Sequence, residues 1–81
     1  MRLQIHSVKR TLFDGEVKSV NCNTALGEIT ILDNHRPLIT VMERGTVTII
    51  DNAGVAHYVN VSSGFAEVQK NHASMIVEEA L

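Results

Sequence analysis

The feature that most constrains this sequence is an alternation of apolar and polar residues with period two, recurring along nearly the whole chain. A strand sends successive side chains to opposite faces, so this alternation marks strands with one face buried. Leu3, Ile5 and Ser7 alternate with Arg2, Gln4 and His6, and Val20 and Cys22 share a face within residues 16–22. Residues 28–32 are rich in β-branched side chains, and Leu38–Met42 is a short apolar run. Residues 46–50 read Thr-Val-Thr-Ile-Ile, and Val55, His57, Val59 and Val61 fall on one face. Residues 65–69 and 73–77 complete the set.

Turn chemistry separates these runs at Asp14-Gly15, 23–27, Asp33-Asn34, Arg44-Gly45, 51–54, Ser63-Gly64 and Lys70-Asn71. Gly and Asn supply positive φ there, and Asp and Asn cap turns through side-chain bonds. The clearest hairpin joins 46–50 to 55–61 through Asp51-Asn52-Ala53-Gly54. No window carries a helical stripe. Glu78-Glu79-Ala80-Leu81 favours helix but is too short to form one alone. The pattern predicts one all-β domain over residues 1–81, a flattened sandwich or barrel of roughly 8–10 strands. Open edges invite aggregation, so closure or a covering partner is expected.

Composition narrows the function. Lys and Arg total 7 against 9 Asp and Glu, a net charge of −2, which disfavours a nucleic-acid binder. Aromatics are 4% with no Trp, which also argues against base-stacking platforms. The single Cys22 cannot form an intrachain disulfide, so a disulfide framework is excluded. The N-terminus alternates like a strand and lacks the apolar core of a signal peptide. The strongly apolar stretches, such as 47–50, are far too short to cross a bilayer. Membrane contact is therefore expected only through a partner.

Few residues offer chemistry. His6, His35, His57 and His72 lack zinc-finger spacing to Cys22 or to one another. His57 reads as a strand residue, and His72 as a solvated one beside its turn. Cys22 reads as a buried, inert thiol. Ser62-Ser63-Gly64 lacks the Gly-x-Ser-x-Gly elbow, Gly27 and Gly45 form no phosphate loop, and Asn60-Val61-Ser62 matches a glycosylation acceptor by chance. The carboxylates are scattered, and so small a chain has little room for a substrate cleft. The expectation is no catalytic residue, metal, cofactor or small-molecule substrate.

One constellation stands out. Gly27-Glu28-Ile29-Thr30-Ile31-Leu32-Asp33-Asn34-His35-Arg36-Pro37-Leu38-Ile39-Thr40 joins a flexible loop, a charged tip and a rigid His-x-Pro-Leu step. Pro37 fixes its own φ and biases Arg36 toward extended geometry. This is either a hairpin followed by a strand crossover or a preorganised contact surface with Glu28 on an exposed tip.

At this stretch the chain resembles the epsilon subunit family of the rotary F-type ATP synthase. Residues 27–38 look like that family's Gly-Glu-x-Gly-x-x-Pro-Gly-His-x-Pro-Leu signature. Leu12-Phe13-Asp14-Gly15-Glu16-Val17 resembles its Phe-x-Gly step, and Gly45 matches the glycine of its Pro-Gly turn. Val61-Ser62-Ser63-Gly64-Phe65-Ala66-Glu67-Val68 resembles its Ser-Gly-Gly-x-x-Glu-Val segment. The pieces run in order from about Leu3 to Val77. Thr30 and Ser63 stand where the family has glycine, and Asp33-Asn34 where it has Pro-Gly. Asn34 tolerates positive φ, so that turn should survive, whereas Thr30 and Ser63 should alter the local backbone.

The resemblance implies a ten-stranded flattened β-sandwich in the central stalk, without catalytic activity of its own. It implies binding to the gamma subunit and the c-ring, coupling of proton translocation to ATP synthesis, and a peripheral position on the cytoplasmic face of a bacterial membrane or its organellar equivalent. Leu26, Gly27 and Glu28 fall in the loop that meets the c-ring. His35, Pro37, Leu38 and Thr40 fall in the region that approaches gamma. The family continues into an inhibitory helical hairpin where these residues stop, so the expectation is a chain without that hairpin that couples without an inhibitory arm. The alternative is a stand-alone β-sandwich adaptor with no ATP synthase role.

Overall fold

A computed structural model describes residues 1–80 as seven strands. They are β1 (Arg2–His6), β2 (Thr11–Thr24), β3 (Gly27–Leu32), β4 (Leu38–Met42), β5 (Gly45–Asp51), β6 (Ala56–Gln69) and β7 (His72–Glu79). The all-β class matches the alternation. The strand number does not match the ten implied or the 8–10 expected, and the reason lies in β2 and β6.

Each of these two strands has 14 residues and changes partners part-way. β2 pairs with β1 along residues 11–16, then with β5 and β3 along 17–24. β6 pairs with β5 along 56–61, then with β4 along 64–68, while β7 lines its other edge. A register irregularity marks each changeover, between Val17 and Ser19 and between Val61 and Ser63. An extra residue flips the inward-facing set, because side chains alternate with period two. Val17 is buried, and beyond the irregularity so are Val20, Cys22 and Thr24; Val61 is buried, and beyond it Ala66 and Val68. In the sequence this break in phase reads as a strand boundary. In the structure the chain runs straight through.

Two expected turns therefore fall inside strands. Asp14 and Gly15 pair with Gln4 and Leu3 of β1. Gly64 lies between Met42 of β4 and Val77 of β7. A Cβ on Gly64 would stand 2.5 Å from the Ile76 carbonyl oxygen, so this glycine serves close strand approach, not a turn. Thr30 and Ser63 also lie in strands with negative φ, so neither is forced into the left-handed region. Asn34 does adopt it, at φ 63°, as expected. Glu78 and Glu79 extend β7 instead of favouring helix, and Leu81 lies outside the described residues.

Pairings close a ring through β1, β2, β5, β6 and β7, with β1 and β7 parallel. Closure removes most of the edge hazard. Leu3, Ile5, Val47, Ile49, Met75 and their neighbours fill the interior. Among the described residues, β3 pairs only with β2, and β4 pairs with β6 and at one position with β2. These two strands carry the residues singled out from the sequence.

Candidate interaction surface

The β2–β3 connection is a two-residue turn, Ala25-Leu26, closed by Gly27 at φ 105°. Among the described residues, no neighbour comes within 4 Å of where a Gly27 Cβ would stand, so conformation and not space selects glycine. Thr24 is 3% exposed, and its hydroxyl accepts from the Leu26 N–H (3.1 Å) and donates to the Gly27 carbonyl (2.8 Å). This local network holds the turn and pushes Leu26 outward, where it is 72% exposed. Glu28 follows on the exposed surface. Leu26, Gly27 and Glu28 thus form one protruding tip.

The second set lies elsewhere. Asp33 to Pro37 connect β3 to β4. The Asn34 N–H donates to Asn71 Oδ1 (3.3 Å), and the Met1 ammonium pairs with Asp33 (2.8 Å), which ties this loop to the β6–β7 turn and to the start of β1. His35 is half-buried, with Nδ1 2.6 Å from the Arg36 carbonyl oxygen. Pro37 is exposed and Leu38 packs against the core. Thr40 is only 7% exposed and faces inward. It marks the strand, but its neighbours Ile39 (75% exposed) and Val41 present the outward face.

That outward face continues across the sheet. Val41 pairs with Phe65 and Phe65 with Ile76, so the three side chains form one cross-strand row. Phe65 is 61% exposed, and Val41 and Ile76 are also open to solvent. A shallow groove between this row and the β1–β2 turn brings in Val8, which is almost fully exposed. Single exposed apolar residues are ordinary, but here they stand in a contiguous row. In the sequence β4 shows only as an apolar run. Phe65 and Ile76 carried no local signal, because only the strand pairing puts them beside Val41.

The remaining chemistry is closed. Burial pushes the Cys22 thiol up to about 11, so no reactive thiolate forms near neutrality. His57 Nε2 lies 2.8 Å from Asp51 Oδ2, and this hydrogen bond, with those from the Val55 and Ala53 N–H groups, holds the Asp51 carboxyl below its usual range. The pair organises the β5–β6 turn. His72 is half-buried against Gln4 instead of fully solvated. A polar recess beside Tyr58 and Asn60 is bridged by Arg10, which reaches Glu79 at 2.9 Å. Among the described residues, no three His, Cys, Asp or Glu side chains gather as a metal site.

The family model for the beta-sandwich domain of the ATP synthase delta/epsilon chain matches residues 1–81. The chain belongs to that family. It is 37% identical over 79 residues to the ATP synthase epsilon chain of Dichelobacter nodosus, covering 98% of this chain and 55% of the relative. It is 32% identical over 81 residues to the Acinetobacter baumannii epsilon chain, covering all of this chain and 58% of that one. The chain thus spans little more than half the length of these curated relatives. A chain in the structure of the Euglena gracilis mitochondrial ATP synthase with OSCP, F1 and c-ring superposes with a TM-score of 0.88 at 21% identity, covering 98% of this chain and 51% of that one. A chain in the central stalk and c-ring structure of the Tetrahymena thermophila enzyme gives 0.78 at 16%, covering 98% and 63%. At these identities the likeness is one of fold. The delta/epsilon family thus accounts for the sandwich, while the apolar row is read from this chain's own residues.

Proposed function

We propose that the chain is a non-catalytic central-stalk subunit of a rotary ATP synthase, coupling proton translocation to ATP synthesis. The Leu26–Gly27–Glu28 tip meets the polar loops of the c-ring. The outer row of Val41, Phe65 and Ile76, with Ile39 beside it and the His35–Pro37–Leu38 step leading into it, meets the gamma subunit. Thr40 supports this face from inside. The chain stands at the membrane surface through these partners, on the cytoplasmic side in a bacterium.

The observation that carries the reading is the contiguous apolar row on the outside of a sandwich whose inside is already filled. Burying such a row against a partner removes apolar area from water, at about 25 cal/mol per Å². The tip lies on a different connection, so both partners can be held at once.

The test is co-elution with a purified gamma subunit on size-exclusion chromatography. The native chain should form a complex. Phe65→Asp should weaken it by about thirtyfold or more, as expected for an aromatic anchor at an interface centre. Thermal stability should stay nearly unchanged, because Phe65 is exposed. No complex with the native chain would overturn the proposal.

A further inference from the structure

The tip is tied to the rest of the sandwich in an unusual way. Hairpin ends ordinarily fray first, because few long-range contacts hold them. Here the Ala25 N–H donates to the Val41 carbonyl (2.9 Å), and the Glu43 N–H donates to the Asn23 carbonyl (2.9 Å). Thr24 pairs with Met42 between these bonds. The base of the tip is therefore stitched to the end of β4 and the turn that follows it.

One side chain completes the stitch. Asn23 Nδ2 donates to the Arg44 carbonyl (3.2 Å). Its amide lies directly over Gly45, where a Cβ would stand 2.6 Å from Nδ2 and 3.3 Å from Cγ. Gly45 has no positive φ, so the absent side chain serves this contact and not the backbone conformation. Residue 23 must donate, and residue 45 must leave room for it to do so.

Val41 makes the arrangement more than local. Its side chain lies on the exposed apolar row and its carbonyl oxygen holds the tip. A load on either surface reaches the other through a single peptide unit. We infer that Asn23 and Gly45 are positioning residues that brace the Leu26–Glu28 tip against β4, so that the tip and the apolar row move as one rigid body. This rests on the docking reading above: a subunit that transmits rotation between two partners needs its two contact surfaces fixed relative to each other.

The experiment has two arms. In the purified chain, amide hydrogen exchange is followed at Ala25 and Glu43 by NMR. Asn23→Ala should accelerate both by about fivefold or more, the effect of losing one modest hydrogen bond from the opening equilibrium. Gly45→Ala should do the same by displacing the Asn23 amide. The double variant should be no worse than Asn23→Ala alone, because the clash needs both groups. Additive effects, or unchanged exchange at these two amides, would overturn the brace.

In the assembled synthase carrying the chain, Asn23→Ala should lose ATP-driven proton pumping while keeping its affinity for gamma. Faster exchange with pumping intact would overturn the positioning role. If the native chain binds neither gamma nor the c-ring, the docking reading fails and the coupling role fails with it, and the exchange arm still decides whether the brace exists.

Discussion

Two connections in this molecule solve the same problem differently. The β5–β6 turn is held from within. Asp51 Oδ1 accepts from the Ala53 and Val55 N–H groups at 2.9 Å each, Oδ2 meets His57, and Gly54 takes φ 85°. Every one of those groups lies within residues 51–57. The β2–β3 tip is held partly from within, by Thr24, and partly from a distance, by Val41, Glu43 and Arg44. The self-contained turn ends in Asn52, Ala53 and Gly54. The tip tied to another strand ends in Leu26. A turn that only reverses the chain needs only local chemistry, whereas a tip that meets something outside needs its position fixed relative to the rest of the domain.

The largest effect on stability expected from this comparison is at Thr24. Thr24→Val keeps the shape of a buried side chain and removes its two tip bonds. The expected loss is about 1 kcal/mol, or a Tm lower by about 4–8 °C in a domain of this size. Calorimetry checks it. A Tm unchanged within error would mean that β4 alone holds the tip.

The local turn should show itself in its acid response. The Asp51 carboxyl is held below its ordinary value, chiefly by the His57 hydrogen bond and then by the Val55 N–H. A lowered folded-state value means stabilisation that is complete above the unfolded carboxylate range and lost as pH falls through the folded value. Asp51→Asn keeps an acceptor for the turn but removes the charge. Its stability should be lower than the native chain's near pH 7, where the charged-state stabilisation is gone, and the drop on acidification should be shallower, so that the two converge in acid. Denaturant midpoints from pH 7 down to pH 2 check this. An unaltered acid limb would mean that the His57–Asp51 pair does not distinguish the folded state from the unfolded one.

The same contrast explains what the sequence disclosed. The β5–β6 hairpin was legible because Asp51, Gly54 and the flanking alternation are neighbours in the chain. Asn34 was legible because a left-handed turn selects a residue type. The changeovers in β2 and β6 were not, since a bulge and a strand end both break the alternation, and only the partner strand tells them apart. Gly64 reads as a turn residue for a related reason: a glycine that makes room for the Ile76 carbonyl looks, in one dimension, like a glycine that makes a turn. Leu26, Gly27 and Glu28 stand out in the sequence through likeness to a family, and all three are exposed. Thr40 lies on β4 facing inward, and that phase puts Ile39 and Val41 outside. Phe65 and Ile76 could not be found locally, because their company with Val41 exists only after β4, β6 and β7 have paired.

The smallest effect on folding should come from the residue expected to matter at the c-ring. Glu28 is exposed and, among the described residues, makes no ion pair. Its backbone pairs with Asn23, so the ladder beneath it is independent of its side chain. Glu28→Lys should therefore shift stability by no more than about 0.5 kcal/mol, the usual range for a surface substitution. It reverses the charge at the tip without moving the backbone, so a partner that reads that charge should register the change strongly. In a reconstituted synthase, proton-driven ATP synthesis should fall while the melting temperature and the binding to gamma hold. Parallel losses in melting temperature and synthesis would show that Glu28 supports the hairpin itself. The tip would then be a second structural turn, and its difference from the β5–β6 turn would lie only in how far away its supports are.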